Sequence, residues 1–262
     1  MAPKYIRGLV NFITELRSLK GEDEKLLRVK EEIAKVRIVL SAAKVDSYSK
    51  CKCILKLLYI EMMGYDVDLG YLQSVELISS SSYADKAVGY MGCEVLLHGH
   101  TDLLRLCINT TLEDMRGNEG VASLALNFVA NTHSEEILER IGREVLGMLS
   151  LESPHVRKKL YMCLYRLHDM ETGYGDEEWR EIIGGIIERE QNVVCTMAVC
   201  SLASKVFGKS SNSYCSYLVA LLWDRMNEGA SAEYDYFTVS SPWLIIKVLG
   251  ILSVMDARGD ER

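Results

Sequence analysis

Proline is nearly missing from this chain, whose 262 residues include only Pro3, Pro154 and Pro242. Because proline breaks the interior of a helix, long helices are permitted almost everywhere between Lys4 and Ser241. Within that stretch apolar residues recur at helical spacing, and we find no convincing alternation of the kind that marks a half-buried strand. The sequence therefore predicts an all-α fold.

The helical pattern also repeats along the chain. Two amphipathic helices are predicted first, at 6–19 and 22–40, and a polar break follows. Segments rich in Ala, Gly, Cys and Leu then recur about every 36 residues, a period typical of stacked helix pairs. They begin near Tyr48, Tyr83, Asn118, Pro154 and Gln191. Each is followed by a second helix, at 72–79, 102–115, 134–149, 177–190 and 214–226.

Stacked pairs of this length are typical of HEAT and armadillo proteins, in which each layer contacts only its neighbours. We therefore predict a right-handed alpha-solenoid of HEAT/armadillo-like helix pairs, with residues 1–262 forming a single domain. Three serines are expected to cap helix starts: Ser134, Ser153 and Ser241, the last two followed by proline at the first helical position.

Charge and composition narrow the class of protein. The formal charge of -7 argues against a chain that coats nucleic acid. No run of about 18 uncharged apolar residues predicts a membrane-spanning helix. The first seven residues do not resemble a secretory signal, so a cytoplasmic protein is expected, with its eight cysteines reduced.

The motifs of enzymes and metal sites are not found. There is no Gly-rich phosphate loop and no G-x-S-x-G sequence. His98-Gly99-His100 is interpreted as a loop turn, and Cys51-Lys52-Cys53 lacks the second ligand pair that zinc needs. A dyad of Cys163 or Cys195 with His168 can be imagined, but one sequence cannot show that they meet. We therefore expect neither catalysis nor a cofactor.

A basic cluster is the most informative feature for function. Lys50, Lys52 and Lys56 fall in the first turns of the helix that begins near Tyr48. Cations there oppose the helix dipole, at about 0.3–1 kcal/mol each, unless an anion such as a phosphate binds. The alternative is a solvated basic face. Arg7 joins the cluster only if the two helix starts lie close together.

Several strings resemble the N-terminal trunk of the alpha-adaptins, the large alpha subunits of the endocytic clathrin adaptor. The strings are Ile6-Arg7-Gly8-Leu9, Ala34-Lys35-Val36-Arg37, Tyr48-Ser49-Lys50, Gly64-Tyr65-Asp66-Val67-Asp68-Leu69-Gly70 and Ser241-Pro242-Trp243-Leu244. They occur in order from about Tyr5 to Leu252. The Asp66-Val67-Asp68 string and the lysine cluster favour the alpha type over the gamma type.

The resemblance implies a clathrin-adaptor subunit in endocytosis, peripheral on the cytosolic face of the plasma membrane in coated pits. Its implied partners are a sigma-like small subunit, the beta and mu subunits, cargo tails and phosphatidylinositol bisphosphate, with no nucleic acid. It assigns the headgroup to Arg7, Lys50, Lys52 and Lys56. It assigns the acidic residue of dileucine cargo signals to Arg17.

Two departures from the family qualify these expectations. Cys51 stands where the family usually has lysine, so weaker headgroup binding is expected. The family's longer trunk, hinge and appendage are absent from this sequence. If the natural protein is shortened in this way, clathrin and accessory-protein binding through the hinge and appendage is not expected. If the sigma subunit is missing, the first two helices should expose apolar surface. The competing hypothesis is a generic helical-repeat interaction protein unrelated to clathrin coats, with its ligand in the solenoid groove.

Overall fold

The computed structural model describes residues 6–97, 101–132, 134–149, 153–170, 174–207, 214–227 and 232–255. These ranges hold fourteen α-helices and one short hairpin. The helices are α1 (Ile6–Ser18), α2 (Glu22–Leu40), α3 (Ser47–Met62), α4 (Tyr71–Ile78), α5 (Tyr83–Leu96), α6 (Thr101–Arg105), α7 (Ile108–Met115), α8 (Glu119–Asn131), α9 (Glu135–Gly147), α10 (Pro154–Leu167), α11 (Asp176–Arg189), α12 (Val193–Val206), α13 (Cys215–Asn227) and α14 (Pro242–Val254). None of the helices within these ranges combines the length and apolar content needed to cross a bilayer.

The predicted all-α repeat fold is confirmed, and most helix bounds agree within two residues. The helix predicted at 102–115 is wrong in one respect, because it is divided into α6 and α7. Between them the amides of Leu106 and Cys107 donate to carbonyls three residues earlier, so the helix tightens into a turn. The turn places the Cys107 thiol 3.9 Å from that of Cys93 on α5. The His98-Gly99-His100 sequence lies outside the described residues.

A hairpin that the sequence did not predict precedes α14. Its strands, β1 (Asp235–Tyr236) and β2 (Val239–Ser240), are antiparallel and two residues long. Strands this short carry no recognisable alternation, which explains why they were missed. Phe237, in the connecting loop, has a φ of 57°, in the left-handed region.

Helix packing divides the chain into two compact units, Met1–Ile141 and Gly142–Arg262. In the first unit α3 packs on α5 and α5 on α8, while α4 and α7 pack beside them. In the second, α10 packs on α12 and α12 on α14, with α11 beside α12. The assignment of 1–262 to one domain stays a prediction.

A glycine permits two helices of the first unit to pack closely together. A Cβ on Gly89 of α5 would lie 2.7 Å from the backbone nitrogen of Ile78 in α4. Real side chains do not approach backbone that closely, so only glycine permits α4 and α5 to pack at this distance.

Side-chain oxygens cap several of the helix starts. The Ser134 hydroxyl accepts a hydrogen bond from the Ile137 amide at 3.4 Å, which confirms that predicted cap. Asn118 and Asn192 cap α8 and α12 in the same way. The side-chain caps predicted at Ser153 and Ser241 are wrong, since neither hydroxyl accepts a hydrogen bond from the first turn of its helix. Ser241 also departs from the usual cap geometry. Its backbone is left-handed (φ 49°), and its buried hydroxyl has no hydrogen-bond partner within the described ranges.

Candidate functional site

The lysine cluster lies where the first turns of α3 meet the start of α1. The Asp46 carboxylate caps α3 by accepting from the Ser49 amide at 3.3 Å. A Cβ added to Gly8 of α1 would lie 2.7 Å from Cε of Lys52, so the Lys52 side chain crosses α1 at that glycine. Arg7, the residue before Gly8 in α1, is exposed. The structure therefore satisfies the condition under which Arg7 joins the cluster.

Lys52 and Arg7 remain available to bind an anion in this region. Lys52 is half-buried, and neither side chain pairs with a carboxylate among the residues that the structure describes. Their side chains belong to neighbouring helices, and α1 leaves room for Lys52 only because residue 8 has no side chain. An anion that approaches this corner meets two positive charges without displacing an internal partner.

Lys50 is engaged in an ion pair. Its ammonium nitrogen lies 2.5 Å from a carboxylate oxygen of Glu76 on α4, and its side chain is 22% exposed against 57% for Glu76. A pair this exposed contributes about 0–1 kcal/mol to stability. Lys50 can therefore leave Glu76 for a more highly charged anion at little cost.

Lys56 is held in the interior at the junction of α1, α2 and α3. Its ammonium group pairs with Glu32 of α2, and the two side chains are only 13% and 4% exposed. The same group lies 5.7 Å from the centre of the Phe12 ring of α1. Lys56 therefore differs from Arg7 and Lys52, because it is nearly buried and is already paired with a carboxylate.

Glu32 is the centre of a wider ion-pair network. Arg28 contacts Glu32 at 2.9 Å and Glu15 of α1 at 2.6 Å, and its guanidinium lies 5.1 Å from the centre of the Phe12 ring. Burial alone would raise the pKa of the Glu32 carboxyl, but hydrogen bonds from Lys56 and Arg28 outweigh it and lower the pKa. Glu32 is therefore ionised at neutral pH and fastens the first three helices together.

Cys51 points into the core of the first unit. Its side chain is 0% exposed, and its thiol lies 3.5 Å from a carboxylate oxygen of Asp85 on α5. Burial, together with the Asp85 charge, raises the pKa of the thiol to about 12, so it stays neutral. The position at which the resemblance led us to expect lysine is thus an interior one in this chain.

The Lys50 pair is the first of three related pairs. Lys50, Lys86 and Arg157 are each the fourth residue after the N-cap of the first helix of a pair. Each forms an ion pair with an acid near the end of the second helix of the same pair. Lys86 contacts Asp114 at 2.8 Å, and both are nearly buried, with side chains 12% and 10% exposed. The hydroxyl of Tyr90, four residues after Lys86, donates to the same carboxylate at 2.8 Å.

The second unit repeats this arrangement. The Arg157 guanidinium contacts the Glu190 carboxylate at 2.8 and 2.9 Å, and the Tyr161 hydroxyl donates to it at 2.9 Å. Sequence reasoning missed this set because it grouped the lysines by nearness in sequence. The signal that could have found it is the recurrence of a base and a tyrosine four residues apart, which share a helix face.

Arg17 lies exposed on α1, where it makes no ion pair within the described part of the chain. Apolar side chains are exposed on the same two helices: Val10 of α1 is 49% exposed, and Leu27 and Ile38 of α2 are 62% and 74% exposed. Leu27 and Ile38 are eleven residues apart and share one face of the helix. The exposed apolar surface expected on the first two helices is therefore present.

The cysteine–histidine dyad is not assembled around Cys195. Its thiol donates to the carbonyl of Pro154, at the start of α10, whereas His168 follows the end of that helix and packs against Trp179. Fourteen residues of helix place these ends about 20 Å apart. Burial raises the pKa of Cys195 to about 11, which also disfavours a nucleophile. In the described ranges, no group of three or more His, Cys, Asp or Glu side chains could hold a metal ion.

Comparison with known proteins gives the following matches. Residues 27–262 match the family model described as Adaptin N terminal region. AP-2 complex subunit alpha-1 of Arabidopsis thaliana is 33% identical over 259 residues, which cover 94% of this chain and 25% of that protein. AP-2 complex subunit alpha of Schizosaccharomyces pombe is 28% identical over 267 residues, covering 99% of this chain and 30% of that protein. The chain thus spans about a quarter to a third of these relatives.

A structural likeness agrees with the fold. One chain of a homology model of the full-length AP-3 complex, in an intermediate open conformation, superposes with a TM-score of 0.61 at 20% identity. The superposition covers 79% of this chain and 34% of the other.

Proposed function

Because this chain belongs to the adaptin N-terminal family, we propose that it is a non-enzymatic subunit of a clathrin adaptor in vesicle-mediated protein transport. In this role it acts in endocytosis, on the cytosolic face of the plasma membrane. It binds phosphatidylinositol bisphosphate headgroups, a sigma-like small subunit and dileucine-type cargo signals, and it assembles with beta and mu subunits.

The contact of Lys52 with Gly8 is the observation that carries the membrane part of this proposal. It sets Arg7 and Lys52, which make no ion pair within the described residues, on adjacent helices beside the start of α3. We assign the headgroup phosphates first to these two residues. Lys50 adds a third charge when it leaves Glu76, and Lys56 supports α3 through Glu32.

Liposome co-sedimentation tests the headgroup site. We expect Arg7→Glu/Lys52→Glu to lose binding to vesicles with phosphatidylinositol bisphosphate by tenfold or more, since each basic residue contributes about 1 kcal/mol at an anionic surface. The matched control is Lys30→Glu/Lys35→Glu, which makes the same charge change at exposed positions of α2. Equal losses in both variants, or none in the first, would remove the site.

The exposed apolar face of α2 supports the small-subunit part of the proposal. Leu27 and Ile38 are available to pack against a partner, and Val10 adds apolar surface on α1. Co-expression with a sigma-type subunit should recover a complex, and Leu27→Asp/Ile38→Asp should abolish it. Met62→Asp, at an equally exposed apolar position of α3, is the control.

Arg17 is proposed to receive the acidic residue of a dileucine signal. Its exposure leaves the guanidinium free to form that ion pair. Arg17→Ala should weaken binding of a dileucine peptide by the assembled complex. A peptide with its acidic residue changed to alanine should bind wild type and variant alike.

A cavity in the second unit favours the alternative, a generic helical-repeat interaction protein. It has a volume of about 500 Å³, and Arg157, Tyr161, Glu181, Arg189 and Glu190 are among its lining residues. A protein partner lost in Glu181→Ala/Arg189→Ala, but retained by the α1 and α2 variants, would support that alternative.

A further inference from the structure

Two buried cysteines of the first unit are in contact through their sulfur atoms. The sulfur of Cys93, on α5, lies 3.9 Å from that of Cys107, the N-cap residue of α7. The two residues are only 2% and 1% exposed. Neither takes part in the headgroup, cargo or small-subunit contacts, so the adaptor role does not explain the pair.

The contact brings the two sulfurs within reach of a covalent bond. Disulfide sulfurs lie about 2.05 Å apart, so a gap of about 1.9 Å remains between these two. Cys93 lies in the interior of α5, where the backbone is fixed. Cys107 instead ends a turn, and its amide donates to the carbonyl of Leu104, three residues earlier. Rotation of the two thiols and a small shift of this turn can close the gap.

The hydrogen bond between the thiols prepares one of them to react. When the Cys93 thiol donates to the Cys107 sulfur, this bond lowers the pKa of Cys107. The same bond raises the pKa of Cys93, and burial raises it further. The thiolate is the nucleophile in thiol–disulfide exchange. Cys107 is therefore the sulfur that attacks first, and Cys93 is the one that resolves the intermediate.

Local opening of α6 gives an oxidant access to Cys107. This helix has five residues, fewer than a helix needs to be stable by itself. Its Arg105 contacts Glu136 of α9 at 2.5 Å, and the two side chains are 56% and 28% exposed. Ion pairs this exposed contribute little to stability, and short elements open locally more often than the core does. Opening of α6 exposes Cys107 while α5 keeps Cys93 in place.

We propose that Cys93 and Cys107 form a reversible disulfide by exchange with a small-molecule disulfide of the glutathione type. The Cys107 thiolate attacks one sulfur of that molecule, whose S–S bond breaks, and one small thiolate leaves. Cys93 then loses its proton and attacks the Cys107 sulfur, which releases the second small thiolate. Two electrons pass from the cysteines to the small disulfide, and the two cysteine protons end on the two released thiols.

The disulfide ties the turn between α6 and α7 to α5. It joins positions 14 residues apart, and the segment between them includes α6. Cross-linking restricts the open states of the closed segment, so the opening that admitted the oxidant is suppressed in the product. The first unit therefore has a reduced form in which α6 opens and an oxidised form in which it is secured. This inference does not rest on the adaptor role.

Mass spectrometry of tryptic peptides tests the bond. Trypsin cuts after lysine and arginine, so Cys93 and Cys107 fall in separate peptides, 87–105 and 106–116. The folded chain is incubated with oxidised glutathione, its remaining thiols are blocked with N-ethylmaleimide, and it is digested without reduction. We expect the two peptides to be recovered joined, two hydrogens lighter than their sum, and to separate again after dithiothreitol.

Two variants establish which cysteines form the bond. Cys93→Ala should abolish the joined product and leave glutathione attached to Cys107. Cys200→Ala, at a similarly buried cysteine of α12, should leave the joined product unchanged. A joined product that forms in urea but not in the folded chain would overturn the proposal. Glutathione that stays on Cys107 in the wild-type chain would overturn it as well, because Cys93 would then fail to reach that sulfur.

A second pair of variants tests the route through α6. Arg105→Ala removes the contact of α6 with Glu136 and should speed disulfide formation several-fold. Arg140→Ala removes another contact of the same carboxylate, at 3.5 Å within α9, and should leave the rate unchanged. In the oxidised protein, amides of α6 should exchange hydrogen at least tenfold more slowly than in the reduced one. Equal rates in the two variants, or no slowing of exchange, would overturn the role of α6.

Discussion

Single residues in this chain differ most in whether a cation has a buried partner. Lys56 forms an ion pair with Glu32, and Lys86 forms one with Asp114. The Lys52 side chain instead crosses α1 at Gly8. A buried pair is costly to break from one side, because the remaining charge is left without compensation. Lysines of the same chain therefore have different roles. Lys56 and Lys86 stabilise the fold, whereas Lys52 remains available to bind an anion.

Asp114 tests the supporting role. Asp114→Ala leaves the Lys86 ammonium and the Tyr90 hydroxyl without their shared partner. We expect the free energy of unfolding, from urea titration, to fall by about 3 kcal/mol. Asp176→Ala, at the exposed start of α11, should change it by less than about 0.5 kcal/mol. A loss below 1 kcal/mol for Asp114→Ala, on that scale, would contradict a supporting role.

Glu190 makes stability depend on pH. Burial would raise the pKa of its carboxyl, but hydrogen bonds from Arg157, the Asn192 amide and Tyr161 lower it below the ordinary 4.5. A lowered native pKa gives stability that is present above the unfolded pKa and lost as pH falls through the native one. Wild type should therefore exceed Glu190→Gln in stability at pH 7, and the difference should shrink below pH 4.5.

Urea titrations at neutral and acid pH measure that difference directly. Glu177→Gln, on an exposed carboxylate of α11, supplies the control, and its difference from wild type should stay small throughout. A Glu190→Gln difference that does not change with pH would mean that folding does not lower the pKa of the Glu190 carboxyl.

At the scale of helices, the sequence predicted what depends on local pattern and missed what depends on contacts far along the chain. The bounds of α2 follow from apolar spacing and were predicted to the residue. The Glu32–Lys56 pair joins positions 24 apart and could not be found that way. For the same reason the sequence analysis grouped Lys56 with Lys52. Their spacing places them on one helix face, but it does not show which carboxylate each of them contacts.

The close approach of α1 and α3 gives a prediction for Gly8. Gly8→Ala adds a Cβ where the Lys52 side chain now runs, and the flexible lysine must move away. Alanine favours the helix by up to about 1 kcal/mol, so the protein should be as stable as wild type or more stable. Binding to phosphatidylinositol bisphosphate vesicles should nevertheless weaken several-fold.

Gly21→Ala is the matched control, because a Cβ there meets only ordinary contacts with Glu24 at 3.5 Å. Unchanged lipid binding by Gly8→Ala would show that the position of Lys52 on α1 does not matter for the headgroup.

For the whole molecule, the family match explains why the fold could be predicted more fully than the site. A repeated helix pair leaves its spacing throughout the sequence. The relatives align with nearly the whole chain. The hairpin before α14 depends on a two-residue loop and on one left-handed backbone position, Phe237, and neither of these leaves a periodic signal.

The stacked architecture predicts that a destabilising substitution affects mainly its own layer and the layers next to it. In a solenoid each layer contacts only its neighbours, so stability is roughly a sum of layers and the interfaces between them. Asp114→Ala should speed amide hydrogen exchange in α5 and α7, which its ion pair joins, and leave α10 to α12 protected. Glu190→Gln should do the reverse, since its partners lie on α10. Mass spectrometry of exchanged peptides separates these regions, and faster exchange along the whole chain in either variant would show that it unfolds as one cooperative body.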